Sequence, residues 1–362
     1  MRVLFLVSDG AWCARARAFV LAARGLAARG HEVMVACESE CPIQVRAAAS
    51  DVPVVALRPD ASAAGDAWQL RSALQEKGVD AVFVHTDQEH LIASSALRLG
   101  GAAGAVIRRI PPFAAARGSG FAGRLAPSGF LFSTDADFQA AAQQRARVRP
   151  TFAPLAVDPA EHDSVTPVSK VSLGAPPNSR LIVCVHDGSN RTAVLMALRT
   201  LALLAPRQPD LHLVVVGAGR QDEVRMHGAS LGINAMISYA GAREDELAII
   251  RAADVGWIAA DGDGAAFAAL DFMACRTAAL AARSPLTEHY VADGIGGMLL
   301  APTDPATTAA TVAGFLQKNE QRAAMGNAAR ARLQREFSYS TMIDAYEQAI
   351  SAAAGRAAQS VA

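Results

Sequence analysis

The chain has 362 residues with 34 basic and 34 acidic side chains, so it carries no net charge and no overall electrostatic footprint for nucleic acid. With 52% hydrophobic and 19% charged residues it is neither a disordered nor a fibrous sequence, and its length suits two domains of roughly 150 to 180 residues better than one core. Five scattered cysteines, an odd number, argue against a disulfide framework, and neither they nor the eight histidines fall at metal-ligand spacing, so no bound metal is expected.

The first ten residues, MRVLFLVSDG, hold an apolar run too short for a signal sequence or for the ~20 residues of a membrane span. They read as a buried first strand over Val3 to Val7, and no later stretch is apolar for long enough to cross a membrane. A cytoplasmic protein is expected, with attachment at a membrane surface left open.

After a loop over Ser8 to Ala14, an alanine- and leucine-rich helix is expected over Arg15 to Arg29, stopped by Gly30, and Glu32 to Ala36 is the next strand. Val54 to Leu57, Ala81 to Val84, Ala105 to Ile107 and Gly129 to Phe132 follow as strands, with helices around Trp68 to Glu76, around Leu91 to Leu99 and through Ala140. From Asp158 to Ser179, clustered Pro, Ser and Asp without apolar period mark a loop or interdomain connection. A second series then begins, with strands over Leu181 to Val185, Leu211 to Val216, Met236 to Tyr239, Val255 to Ala259, Ala278 to Ala281 and Gly297 to Leu300 and helices between them. The tail from Pro305 is helical and ends in a segment from Ser340 to about Ala354. Short continuous apolar runs alternating with helix-period segments are the mark of βα units around a mainly parallel sheet covered on both faces. Two doubly wound domains put function in the loops that follow their strands.

One such loop opens the stretch DGDGAAFAALDF, Asp261 to Phe272, which sets two carboxylates, Asp263 and Asp271, on either side of small residues. A helix beginning near Ala265 would offer free backbone N–H groups and the positive end of its dipole to an anion such as a diphosphate, and Gly264, Ala265 and Ala266 would let that backbone approach closely. The plain alternative is a helix cap at Asp263 and a solvated helix residue at Asp271.

Four segments of the second half, LHLVVVGAGRQDEV (211–224), ISYAGAREDELAIIRAADVGWIAAD (237–261), DGAAFAALDFMAC (263–275) and GGMLLAPTDPATTAATVAGFL (296–316), resemble the retaining, nucleotide-sugar-dependent glycosyltransferases of group 1. The hallmark of that family is two acidic residues separated by seven others, the spacing of Asp263 and Asp271. LAARGHEVMV (26–35) and APLAVDP (153–159) are weaker echoes in the first half. The resemblance implies the GT-B fold, two Rossmann-like doubly wound domains facing a central cleft. Residues 1–160 would form the acceptor-side domain, residues 176–338 the donor domain, and a C-terminal helix over 340–355 would pack back on the first.

By the same resemblance, Asp263 would contact the donor sugar, Asp271 the ribose hydroxyls, and the amides of Ala265, Ala266 and Phe267 the diphosphate, with Arg191 as its cation and the base near Ile237 and Ser238. Gly10 would bring a backbone N–H to the phosphates, His186 would be a further nucleotide-sugar-binding residue, and His85 and Arg109 are further cleft candidates. The donor would be a nucleotide-diphospho-sugar, the acceptor an unidentified glycan, lipid-linked sugar or small molecule, with no cofactor besides the donor and no nucleic-acid partner.

The sequence departs from the family pattern at several of these positions. His186 and Asp187 stand where the family has Gly-Arg, Arg276 follows the second acid where a glycine is usual, and the Gly-Gly loop after the first strand is reduced to Asp9-Gly10-Ala11-Trp12. IRRIPP (107–112) lacks the family's histidine, and each acid is one methylene shorter than glutamate. A rival reading is therefore a catalytically degenerate relative that binds a nucleotide sugar or acts as a partner subunit. An NAD-linked enzyme fits less well, because Gly217-Ala218-Gly219 lacks the third glycine.

Overall fold

A computed structural model of the chain describes residues 1–8, 10–59, 62–113, 126–143, 150–301 and 304–353, and the backbone alone of 354–361. The chain forms two compact units, Met1–Leu155 with Tyr339–Ala362, and Ala156–Ser338.

The first unit is built on seven parallel strands, β1 (Arg2–Leu6), β2 (Glu32–Glu38), β3 (Val54–Leu57), β4 (Ala81–Val84), β5 (Ala105–Ile110), β6 (Gly129–Phe132) and β7 (Pro150–Phe152). They lie in the order β3-β2-β1-β4-β5-β6-β7, so the winding reverses between β1 and β4, where Val3 pairs with Ala81 and Phe5 with Phe83. Helices α1 (Ala14–Ala28), α2 (Pro42–Ala48), α3 (Ala63–Lys77), α4 (Asp87–Gly100) and α5 (Asp135–Gln143) connect them. The start of α4 is set by a capping box, in which Thr86 and Glu89 satisfy each other's backbone N–H groups. A C-terminal helix (Tyr339–Val361) joins this unit. Its Tyr346 packs on Phe83 and Phe5 with ring centres 5.0 and 6.0 Å apart, Tyr339 donates to the Leu21 carbonyl at 2.6 Å, and Arg29 pairs with Asp344 and Glu347.

The second unit has six parallel strands, β8 (Arg180–Val185), β9 (Leu211–Val216), β10 (Ile237–Gly241), β11 (Val255–Ile258), β12 (Ala279–Ala282) and β13 (Gly297–Leu300), in the order β10-β9-β8-β11-β12-β13. Its helices are α6 (Pro159–Ser164), α7 (Arg191–Leu204), α8 (Gln221–Ser230), α9 (Glu246–Arg251), α10 (Gly262–Ala274), α11 (Pro285–Val291), α12 (Pro305–Gln317) and α13 (Asn319–Glu336). The central strands β8, β9 and β11 are buried along almost their whole length, which is why they read as unbroken apolar runs. Trp257 fills the core beside them and satisfies its indole N–H on the Ala193 carbonyl at 3.2 Å. Among the described residues no helix is long and apolar enough to cross a membrane.

Three short elements add to those expected: α2 and β7, where no element was assigned, and α6, where a loop or connection was expected. The last begins inside the Pro- and Ser-rich connection, where Asp158 caps the Ala160 N–H and Pro159 takes the first helical position.

Candidate functional site

In the second unit the winding reverses between β8 and β11, the place where loops after strands diverge and leave a crevice. The loop after β8, His186 to Asn190, is bound there to the start of α10. His186 is buried and its Nδ1 lies 3.1 Å from the Ala259 carbonyl. The Ser189 hydroxyl accepts from the Asp261 N–H at 2.7 Å, and the Asn190 amide donates to the Asp261 carboxylate at 3.0 Å. The loop after β9 closes on the same point, because the Gly219 N–H donates to the His186 carbonyl at 3.0 Å. A side chain on Gly219 would run into the His186 ring, so this glycine answers a packing need and not a dinucleotide fingerprint.

Helix α10 starts three residues earlier than expected, at Gly262, with Asp261 in the N-cap position. Asp263 is therefore in the first turn and buried, and the Ala265 N–H already bonds the Asp261 carbonyl. In such a helix the donors without an intrahelical acceptor belong to Gly262, Asp263 and Gly264. The expectation that Ala265, Ala266 and Phe267 present their amides is corrected accordingly: all three lie inside the helix and are buried.

Asp271 is not a solvated helix residue. It is 3% exposed, and its Oδ1 lies 2.8 Å from Nε2 of His162, which is 1% exposed. The other ring nitrogen of His162 is 2.9 Å from the Asp158 carbonyl. Next to it, Asp163 receives Arg330 at 2.6 Å and Arg276 at 3.3 Å. Burial would raise the Asp163 carboxyl, but these two guanidinium groups outweigh it and hold it below the usual carboxylate range. Arg276, the extra charge after the second acid, is thus spent on Asp163. His162 was absent from the sequence reading; the Asp-Pro pair ahead of it is the one signal that a helix, and so a defined side-chain direction, begins there.

Arg191 begins α7, and its guanidinium, 68% exposed, pairs with Glu223 of α8. The two line an open recess of about 400 Å³ with Arg220 and His227. Ile237 and Ser238 stand at the amino end of β10, the opposite end from the loops just described. Ile237 is in the core, and the Ser238 hydroxyl is 2.8 Å from His212 Nε2. Their expected place beside a base is corrected by this position. The residue of β10 that reaches the carboxyl end is Gly241, whose carbonyl accepts from the Gly217 N–H at 2.9 Å.

In the first unit, His85 and Arg109 come from the carboxyl ends of β4 and β5. His85 stacks on Phe19 with ring centres 3.7 Å apart and meets the Arg15 carbonyl at 3.0 Å through Nε2. Burial and the nearby Arg109 charge push its pKa well below the ordinary value. Arg109 is buried and donates to the Ser133 hydroxyl at 2.9 Å. Asp9 lies outside the described residues, and Gly10 packs against Glu38. At the reversal point of this sheet, the buried Glu89 already accepts the N–H groups of Ser8, His85 and Thr86 at 3.0, 2.8 and 2.9 Å. The protein's own carboxylate fills that cradle.

Residues 166–332 match the family described as Glycosyl transferases group 1. The D-inositol 3-phosphate glycosyltransferase of Corynebacterium kroppenstedtii is 28% identical over 202 residues, 52% of this chain and 45% of that protein. Its counterpart in Corynebacterium jeikeium is 28% identical over 174 residues, 45% of this chain and 42% of that protein. The matches thus span less than half the length of these curated relatives. Among solved structures, Anabaena HepE in complex with UDP and glucose superposes with a TM-score of 0.78 at 16% identity, covering 97% of this chain and 99% of that one. WaaG, a glycosyltransferase involved in lipopolysaccharide biosynthesis, superposes with a TM-score of 0.65 at 18% identity, covering 96% and 99%. The chain has the GT-B fold, and its residues 166–332 match the family described as Glycosyl transferases group 1.

Proposed function

We propose that the protein is a retaining glycosyltransferase that moves a sugar from a nucleoside-diphosphate sugar to an acceptor hydroxyl. The observation that carries this reading is the junction of the loops after β8, β9 and β11 at the first turn of α10, within the segment that matches group 1. Solved structures of the same fold hold UDP and UDP-glucose. In the proposed complex the diphosphate rests on the first-turn amides of α10, Asp263 accepts hydroxyls of the sugar, and Asp271 accepts those of the ribose. Arg191 exchanges Glu223 for the phosphates. The acceptor oxygen bonds to the anomeric carbon on the face from which the phosphate leaves, the carbon–phosphate oxygen bond breaks, and the acceptor's proton passes to the departing phosphate. No protein nucleophile is used and no cofactor besides the donor is called for.

A second reading, a nucleotide-sugar binder without transferase activity, is favoured by one observation: Asp187, an anion, stands beside the first turn of α10. The experiment that separates them titrates UDP, ADP, GDP and their glucose conjugates by calorimetry and follows donor hydrolysis. Binding with slow hydrolysis that Asp263→Asn abolishes supports the enzyme. Binding without turnover for any donor or acceptor supports the second reading, and no binding of any nucleotide sinks both.

A further inference from the structure

The pair of His162 and Asp271 joins a residue of the short helix α6 to the helix that carries both acids. The side chains are 1% and 4% exposed, and a carboxylate held that far from water loses several kcal/mol of hydration. Replacing such a pair by apolar residues of similar size is commonly neutral for stability, so the fold alone has no need of it. What the pair supplies is direction. The imidazole is itself fixed at Nδ1 by the Asp158 carbonyl, and the carbonyl of His162 accepts from Arg251. Both ring nitrogens therefore face oxygen atoms, so the plane of the ring is fixed at both edges.

We propose that His162 is a positioning residue, which holds the Asp271 carboxylate in the one orientation that meets the ribose hydroxyls of a bound nucleotide. This rests on the nucleotide-site reading above. A carboxylate offers about four acceptor positions, of which a vicinal diol would use two. Without the imidazole, the short side chain rotates to another partner and the diol loses its acceptor. Partners that orient metal-binding side chains without touching the metal carry about tenfold or more in affinity, and an effect of that size is expected here.

The test uses the geometry of amide side chains. The terminal amide of glutamine reaches the place of Nε2, while that of asparagine reaches only the place of Nδ1. His162→Gln keeps the donor to Asp271; His162→Asn keeps only the contact with Asp158. The readout is the ratio of affinities for UDP and 2′-deoxy-UDP, measured by calorimetry on the full chain, with circular dichroism to verify folding. In the wild type the ribonucleotide binds better. That preference is expected to fall about tenfold in His162→Asn and to stay within about threefold of wild type in His162→Gln. A preference unchanged in His162→Asn, or lost equally in both variants, overturns the proposal. Equal binding of UDP and 2′-deoxy-UDP by the wild type also overturns it while leaving the nucleotide site standing, and no binding of UDP at all removes both.

Discussion

The carboxylate of Asp187 lies against the α-carbon of Gly264, in the first turn of α10, so a resident anion stands at the positive end of that helix. It is held there by the N–H and hydroxyl of Ser189 at 2.9 and 2.5 Å, and Ser189 in turn accepts from the Asp261 N–H. A diphosphate brought to the same turn would meet a like charge.

Asp187→Asn is therefore expected to tighten UDP binding about threefold to tenfold, a modest gain because Asp187 is exposed and screened by water and salt. Calorimetry at low and high salt checks this, and the gain should shrink as salt rises. Unchanged affinity at every ionic strength would show that Asp187 does not face the phosphates.

The two glycines of this junction should respond differently to alanine. At Gly219 a methyl group meets the His186 ring and the backbone of Gly188, and the loops after β8 and β9 must separate, at a cost of about 1–3 kcal/mol. At Gly264 the nearest obstacles are the exposed Asp187 side chain and the methyl of Ala260, and alanine is the better helix former by about 0.5–1 kcal/mol, so the net change should stay below about 1 kcal/mol. Urea denaturation of both variants gives the comparison; equal losses would contradict the packing described.

His85 makes stability depend on acid. The unfolded chain protonates this ring as pH falls through its ordinary value of 6.5, whereas in the folded unit burial and Arg109 keep it neutral to a much lower pH. In that window the unfolded state binds more protons, so stability is lost as pH falls, by about 1.4 kcal/mol per pH unit for a single group. His85→Gln, whose amide can still reach the Arg15 carbonyl, should remove this component. Unfolding midpoints of wild type and variant should converge between about pH 7 and about pH 5; parallel curves would refute it.

The C-terminal helix is held by its apolar face and not by its charges. Tyr346→Ala leaves a hole against Phe83 and Phe5 and should cost about 3–5 kcal/mol. Arg29→Ala removes ion pairs with Asp344 and Glu347 that lie at the surface and should cost less than about 1 kcal/mol. Thermal unfolding of the two variants distinguishes these, and a larger loss for Arg29→Ala would invert the account.

Most of the scaffold could be read before any coordinates, because buried parallel strands such as Leu211–Val216 are apolar on both faces and stand out from the helix-period segments around them. The short elements could not: β7 has three residues and α6 six, too few for a period to emerge. The spacing of Asp263 and Asp271 was legible, but their surroundings were not. Gly262 and Gly264 look like helix breakers, yet Gly262 opens α10 with a positive φ of 54° and Gly264 is small to admit Asp187. Ile237 and Ser238 were placed beside a base, yet the strand runs on to Gly241, and nothing in ISYAG marks where it ends. His162 was invisible because its partner lies 109 residues away.

The C-terminal helix also fixes an order of assembly. A ribosome releases residues 1–155 first, but the face of their sheet around Phe5 and Phe83 waits for Tyr346, roughly 190 residues and on the order of ten seconds or more of synthesis later. The contiguous stretch from Ala156 to Ser338 can close in the meantime. The half that leaves the tunnel first is thus the last to have all its parts.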